Sequence, residues 1–294
     1  MKLEPECVGC LLNQVNKAFK LLNHKFDREQ ILSAQKKVMQ FLLEQDFEEI
    51  SSPLVGKYLY NLIGESMEND DPYRSLKREY NKLALKYYDN VKDFVKKSDD
   101  PIFEALIVSA LGNTIDFASQ HEIDIVNDLK KFSPKDLAIN EYPAFKKLLD
   151  KEEKLLILLD NTGEIVFDKI LIEILLEHYP DLEIIAAVRS APIINDATME
   201  DAKFISLTDL IKVIESSPAP GIDFNDISEE LEHYLYDEDC LILSKGQGNF
   251  ETLHGTSFPN KDLFYLLKAK CSLMERVFGV KQGKLIFKQK TSEF

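Results

Sequence analysis

Leu155 to Leu159 is an unbroken run of aliphatic side chains that stops at Asp160-Asn161-Thr162-Gly163. A short continuous apolar run fits a strand buried on both faces, as in a parallel sheet covered by helices. An amphipathic helical stretch follows from Glu164 to about His178, with Ile165, Ile170, Ile174 and Leu175 as its apolar stripe. Glu183 to Val188 is then a second candidate strand. Strand, helix, strand in this rhythm makes a right-handed βαβ unit, so the expected fold class is α/β with a largely parallel sheet.

The rhythm continues toward the C-terminus. Cys240–Leu243 and Leu263–Leu267 read as further strands, and Lys284–Phe287 as a final strand at the sheet edge. Ser228–Leu235 and Cys271–Phe278 read as helices between them. The N-terminal portion is helical throughout: Val8, Leu11, Leu12, Val15, Phe19 and Leu22 recur at helical spacing, as do Ile31, Leu32, Val38 and Leu42. Asp71 followed by Pro72 has the form of an N-cap with proline at the first helical position, opening a helix from Tyr73 to about Tyr88. Another helix is expected from Pro101 through Ala118. The expected organisation is a helical portion over 1–140 and an α/β portion over 141–294.

A chain of 294 residues, 45% of them hydrophobic, can bury a sizeable core. Its formal net charge of −15 argues against nucleic acid or an anionic membrane as the main partner. The same acidity would repel a phosphorylated small molecule, so a phosphate site would need a metal ion or a few aimed lysines. Cys7, Cys10, Cys240 and Cys271 are too few and too scattered for a disulfide scaffold. With no apolar signal core at the N-terminus and no apolar run near the roughly 20 residues that span a bilayer, a cytoplasmic protein is expected.

Ligands of open parallel sheets bind beyond the carboxyl ends of the strands. The first strand delivers Asp160 and Asn161; the second delivers Arg189 and Ser190, then a loop with Asn195 and Asp196. The third delivers Ser244, Lys245, Gly246, Gln247, Gly248 and Asn249, and the fourth delivers Lys268. Two carboxylates and an amide suit a hard divalent cation. The glycine-rich stretch, leading into a helix, suits phosphate oxygens. Each segment also has a plain reading: Asp-Asn-Thr-Gly is common turn chemistry, and Thr198 with Asp201 forms a capping box. Cys7 and Cys10 form a C-x-x-C pair without a matching second pair, open to structural, metal or redox use. Asn113 and Asp116 share a helix face and are either groups behind the cleft or solvated. His121, His178, His233 and His254 lack metal-ligand spacing.

Asp160–Asp168, Ala191–Thr198 and Ser244–Glu251 resemble the three signature blocks of the damage-control phosphatase family, also known as domain of unknown function 89. Asp71–Lys77, Gly112–Asp116 and the opening Cys7-Val-Gly-Cys10 resemble segments of its small stand-alone prokaryotic branch. The resemblance implies a helical N-terminal portion on a Rossmann-like α/β domain with helices on both faces of the sheet. It also implies a divalent metal (Mn, Mg, Co or Ni) held by Asp160, Asn161 and Asp196, and a substrate loop over Lys245–Asn249. The expected reaction is hydrolysis of a phosphate monoester of a small phosphorylated metabolite by water or by the Asp160 carboxylate. Asp160, Asp196 and Lys245 are the catalytic candidates. Arg189, Asn195, Lys245, Gly246, Gln247, Gly248, Asn249 and Lys268 are the substrate contacts. Lys268 matches the lysine of an Arg-Thr-x-Lys motif found in another branch, but Tyr265, Leu266 and Leu267 replace its first three residues. The alternatives are an S-adenosylmethionine-dependent carboxyl methyltransferase, which would need more glycine after the first strand, and a non-catalytic nucleotide or sugar-phosphate binding protein.

Overall fold

A computed structural model describes residues 1–22, 27–112, 136–256 and 262–291. Six helices come first: α1 (Pro5–Leu21), α2 (Arg28–Leu43), α3 (Ser52–Ser66), α4 (Arg74–Leu85), α5 (Tyr88–Lys96) and α6 (Pro101–Gly112). Strands and helices then alternate: β1 (Leu137–Asn140), α7 (Tyr142–Leu149), β2 (Lys154–Leu158), α8 (Glu164–His178), β3 (Glu183–Val188), α9 (Met199–Phe204) and β4 (Lys212–Glu215). The C-terminal part holds α10 (Glu229–Tyr236), β5 (Cys240–Lys245), α11 (Gln247–Leu253), β6 (Leu263–Lys268), α12 (Ser272–Phe278) and β7 (Leu285–Gln289).

The strands form one seven-stranded sheet in the order β1-β7-β6-β5-β2-β3-β4. Its pairs are parallel except β6–β7. β7 therefore lies inside the sheet, between β1 and β6, rather than at the edge expected from sequence. The edges are the short strands β1 and β4, in which only Leu137 and Ile214 are buried. One buried residue per strand leaves no apolar run to read, and short edges also limit unwanted pairing with other chains.

Side chains of a strand alternate between faces, and the buried residues sort accordingly. Leu155, Ile157, Leu159, Val188, Leu241, Leu243, Phe264 and Leu266 belong to one core. Leu156, Leu158, Ile185, Ala187, Ile242, Tyr265 and Leu267 belong to the other. The first core holds buried residues of α4, α5 and α6 with those of α7, α8 and α9. The second holds α1, α2 and α3 with α10, α11 and α12. The N-terminal helices thus split three and three over the two faces, so each half completes a core with the sheet. α8 carries no polar stripe near its start because it packs between the sheet and α6.

Sequence boundaries differ in places. The helix expected from Tyr73 to Tyr88 starts at Arg74, and Asp71 pairs with the buried Lys77 ammonium at 2.8 Å instead of capping. Asn113, Asp116, His121 and the end of the helix expected after Gly112 lie outside the described residues. Among the described residues no helix is long and apolar enough to cross a membrane.

Phe145 on α7 is fully buried and packs edge-on against Phe264 and Phe287, at 5.2 and 5.3 Å between ring centroids. Phe145→Ala is expected to cost about 3–5 kcal/mol, as typical of aromatic truncation in a packed core. A shift of the urea midpoint with an unchanged slope would show it; a shift worth less than about 1 kcal/mol would contradict this packing.

Candidate active site

β2 leads to β3 on one side and β5 leads to β6 on the other, so the gap between β2 and β5 is the topological switch point of the sheet. Leu158 is opposite Ser244 on one side and Ala187 on the other. Two residues beyond that row, Asp160 and Gly246 meet. Gly246 has φ +80°, and a Cβ there would lie 2.1 Å from Asp160 Oδ2. Only glycine lets the β5 turn pass beneath the Asp160 carboxylate.

The loop after β3 brings the second carboxylate alongside. Ile194 takes φ 45°, unusual for a β-branched residue, and this tight turn aims Asn195 and Asp196 at the end of β2. The Asn195 carbonyl accepts from the Thr162 backbone N–H at 2.9 Å and its hydroxyl at 3.0 Å. Asn161 and Asp196 form an isolated antiparallel bridge, and the Ala197 N–H donates to the Asp160 carbonyl at 2.8 Å. The expected capping box is present: Asp201 accepts from the Thr198 N–H at 2.9 Å.

A buried amide from α4 ties the two loops together. Asn81 accepts from the Gly163 N–H at 2.7 Å and donates to Asp201 at 2.9 Å. It is fully buried, so both bonds are shielded from water.

Asp160, Asn161, Asn195 and Asp196 line one cleft of about 680 Å³ with Gln247 and Gly248. Arg189 lies behind the carboxylates, 2% exposed. Its Nε donates to Asp196 at 2.7 Å, and Nη2 is 3.6 Å from Asp160. Nη1 donates to Asn249 Oδ1 at 2.8 Å and to the Gly221 carbonyl at 3.1 Å. Burial pushes Asp196 up to about 7; Arg189 pulls against this and the charge of Asp160 adds to it. The Asn161 amide nitrogen donates to Asp160 at 2.7 Å and to Glu164 at 3.4 Å, leaving its oxygen as the group able to meet a cation. Two crowded carboxylates and an amide oxygen on one wall fit a hard divalent ion. Among the described residues no three His, Cys, Asp or Glu side chains converge on such a site, so most of the coordination sphere would be water and substrate.

Side-chain parity and burial place four of the expected site residues, Lys245, Lys268, Arg189 and Asn249, off the cleft wall. Lys245 follows Leu241 and Leu243 on β5 and so points to the face opposite the cleft. There its ammonium, fully buried, bonds to the Glu164 and Asp168 carboxylates and to the Ser109 carbonyl at 3.2 Å. Lys268 follows Phe264 and Leu266 onto that same face and does not line the cleft. Arg189 and Asn249 are buried behind the cleft wall; Asn249 also donates to the Lys245 and Leu159 carbonyls, at 2.8 and 3.2 Å. Gly246 lies beneath Asp160, whereas Asn195, Gln247 and Gly248 remain on the cleft wall as expected.

Sequence reasoning missed the opposite wall. Cys7, Cys10, Gln14 and Lys17 of α1, Tyr60 of α3, and Lys270 and Cys271 after β6 also line the cleft. Cys271, isolated in sequence, thereby joins the C-x-x-C pair; burial pushes the Cys7 thiol up to about 11. The helical spacing of α1 reports a buried stripe but carries no signal of what its flank faces.

The fold and cleft define an α/β protein whose candidate active site opens at the switch point of a largely parallel sheet. The damage-control phosphatase ARMT1-like domain model matches residues 3–286, and the chain belongs to that family. It is 33% identical to an uncharacterized protein of Methanocaldococcus jannaschii, covering 96% of this chain and 94% of that one. It is 32% identical to a damage-control phosphatase of Pyrococcus horikoshii (97% of each chain) and 31% identical to one of Archaeoglobus fulgidus (98% and 99%). The crystal structure of a DUF89 family protein from Pyrococcus horikoshii matches with a TM-score of 0.87 at 29% identity, covering 99% of this chain and 100% of that one.

The buried Lys245 cluster gives a test. Burial raises Glu164 to about 8 and raises Asp168, while the two carboxylates outweigh the effect of burial on Lys245 and hold its ammonium above its ordinary value. Lys245→Met strands both carboxylates and is expected to cost about 3–5 kcal/mol at neutral pH. Both carboxyls are already raised in the parent and rise further without Lys245, so the extra deficit opens where the parent's carboxyls ionise and the variant's do not: it grows as pH climbs from neutral through about 8 and shrinks on acidification. Urea titrations across that range check both the size and the slope. A pH-independent change would contradict the assigned pairing.

Proposed function

We propose that the protein is a metal-dependent phosphatase acting on a phosphate monoester of a small phosphorylated metabolite. The observation that carries this reading is the meeting of Asp160, Asn161 and Asp196, from two strand ends, in one cleft of metabolite size. The names of the Pyrococcus and Archaeoglobus relatives support phosphatase chemistry and a housekeeping role.

Asp160, Asn161 and Asp196 would hold a divalent cation such as Mn²⁺, Mg²⁺, Co²⁺ or Ni²⁺. Such an ion supplies charge that polarises a phosphoryl oxygen and offsets charge developing during transfer. The chain's own residues prepare the site. Arg189 fixes the orientation of Asp196 and keeps two adjacent carboxylates compatible with burial. Asn249 holds Arg189 in place, and the glycine at 246 lets Asp160 sit directly over the β5 turn. Gln247, whose amide donates to Glu251 at 2.6 Å, forms the cleft wall beside them. A methyltransferase fits less well: the turn after β2 has a single glycine, and β3 ends in a buried arginine where an acidic ribose contact would be needed.

Metal-stripped protein is expected to leave a chromogenic phosphate ester intact and to recover phosphate release on addition of Mn²⁺, Co²⁺, Ni²⁺ or Mg²⁺. Asp196→Asn and Asn161→Ala are expected to lower turnover by more than the roughly 10–100-fold typical of outer partners of a metal. Undiminished release from metal-free protein would sink the reading. Metal binding without phosphate release from any phosphometabolite would favour a binding protein instead.

A further inference from the structure

The proposed reaction puts a phosphate dianion beside two carboxylates on a protein of net charge −15. Cationic side chains of the chain must offset part of that repulsion. Among the described residues, the cations at or just beyond the carboxyl ends of β3, β5 and β6 are Arg189, Lys245, Lys268 and Lys270. Arg189 is enclosed by Asp196, Asn249 and the Gly221 carbonyl and is 2% exposed. Lys245 is buried among Glu164, Asp168 and Ser109 on the far face of the sheet. Lys268, the last residue of β6, follows the parity of Phe264 and Leu266 to that face as well.

Lys270 differs because the chain has left the sheet. Ala269 is still buried in the core on the cleft side, and its N–H donates to the Lys284 carbonyl at 3.0 Å. Beyond that bond strand alternation no longer dictates direction, and Lys270 lines the cleft with Asp160, Asn161, Asp196 and Gln247. It is exposed, so its side chain reaches the solvent-filled part of the cleft. The other cation lining the cleft among the described residues is Lys17, on α1. Gln247 of the strand-end wall donates to the thiol of Cys271, the residue after Lys270, at 3.4 Å, which ties the segment carrying Lys270 to the end of β5.

We propose that Lys270, two residues beyond β6, is the ammonium that binds the substrate's phosphate opposite the Asp160–Asn161–Asp196 wall, in place of Lys245 or Lys268. The assignment rests on the phosphatase reading. It makes the segment between β6 and α12 a substrate-binding element: the phosphate is held between a metal on the β2 and β3 ends and an ammonium from the β6 end. An ammonium there recognises the dianionic phosphate common to all phosphomonoesters, not the group esterified to it.

Three variants, Lys270→Gln, Lys268→Gln and Lys17→Gln, separate the possibilities. Inorganic phosphate binding to Mn²⁺-loaded protein is followed by calorimetry, Mn²⁺ affinity is measured without phosphate, and KM and kcat are measured on a chromogenic phosphate ester. Lys270→Gln is expected to weaken phosphate binding about tenfold or more and to raise KM in parallel, with Mn²⁺ affinity and melting temperature near those of the parent. Lys268→Gln is expected to bind phosphate as the parent does. Parental phosphate affinity in Lys270→Gln, a larger loss in Lys268→Gln or Lys17→Gln, or a parent protein that binds no phosphate would each overturn the assignment. If the parent binds phosphate through Lys270 yet hydrolyses no ester, the hydrolytic reading fails and Lys270 stands. If the parent hydrolyses esters and Lys270→Gln does so with unchanged KM, the reverse holds.

Discussion

Neighbouring side chains on a strand must leave the sheet on opposite faces, and at the carboxyl edge of this sheet that rule decides which charges meet. Asp160 and Arg189 continue the rows of Leu158 and Ala187 and emerge on the face of α1, α3 and α11. Lys245 continues the row of Leu241 and Leu243 and emerges on the face of α6 and α8. Residues close in the list of strand ends are thereby sorted into two charged centres separated by the thickness of the sheet. One faces the cleft and suits a cation; the other is sealed and already contains one.

The sealed centre explains how the open one keeps its shape. Glu164 and Asp168 lie on the first turns of α8, directly after the Asp160–Gly163 turn, and Lys245 precedes the Gly246 turn. Their pairing clamps the start of α8 to the end of β5, and these are the two segments between which Asp160 sits. Asn161 spans both centres through its amide, bonded to Asp160 and Glu164. Breaking a buried pair of this kind is costly because the remaining partner keeps its charge without solvent. Asn81 makes the equivalent tie between the loops after β2 and β3, using neutral bonds.

Much of this architecture was legible because the central strands and α8 are buried on all sides and carry runs that admit one reading. The Glu183–Val188 strand and the Glu164–His178 helix have the bounds that their patterns indicate. β1 and β4 were not legible, since an edge strand with one buried residue has no pattern. That Asp160, Asn161 and Asp196 share one cleft was legible because turns ending apolar runs stand out. The lysines were misplaced because a rule that says ligands gather at strand ends is silent about faces, and faces follow from counting along each strand. The bonds of Arg189 to Asp196 and Asn249 were not legible, because a polar residue at a strand end is equally suited to holding a ligand or another polar residue. The second wall of the cleft was invisible, since nothing local to α1 or α3 says which strand ends they overlie.

The placement of α1, α2 and α3 has a consequence for how such a protein can diversify. The sheet edge contributes the oxygen-bearing wall of the cleft through turns locked by glycine, buried amides and ion pairs, where almost any replacement is penalised. Much of the facing surface comes from exposed or half-exposed positions of α1 and α3, such as Cys10, Gln14, Lys17 and Tyr60, on helices that must keep an inward apolar stripe. Mutations on that helical surface can reshape what fits in the cleft while the strand-end machinery stays untouched. One strand-end frame can thus be given differently shaped clefts by drift in its first sixty or so residues.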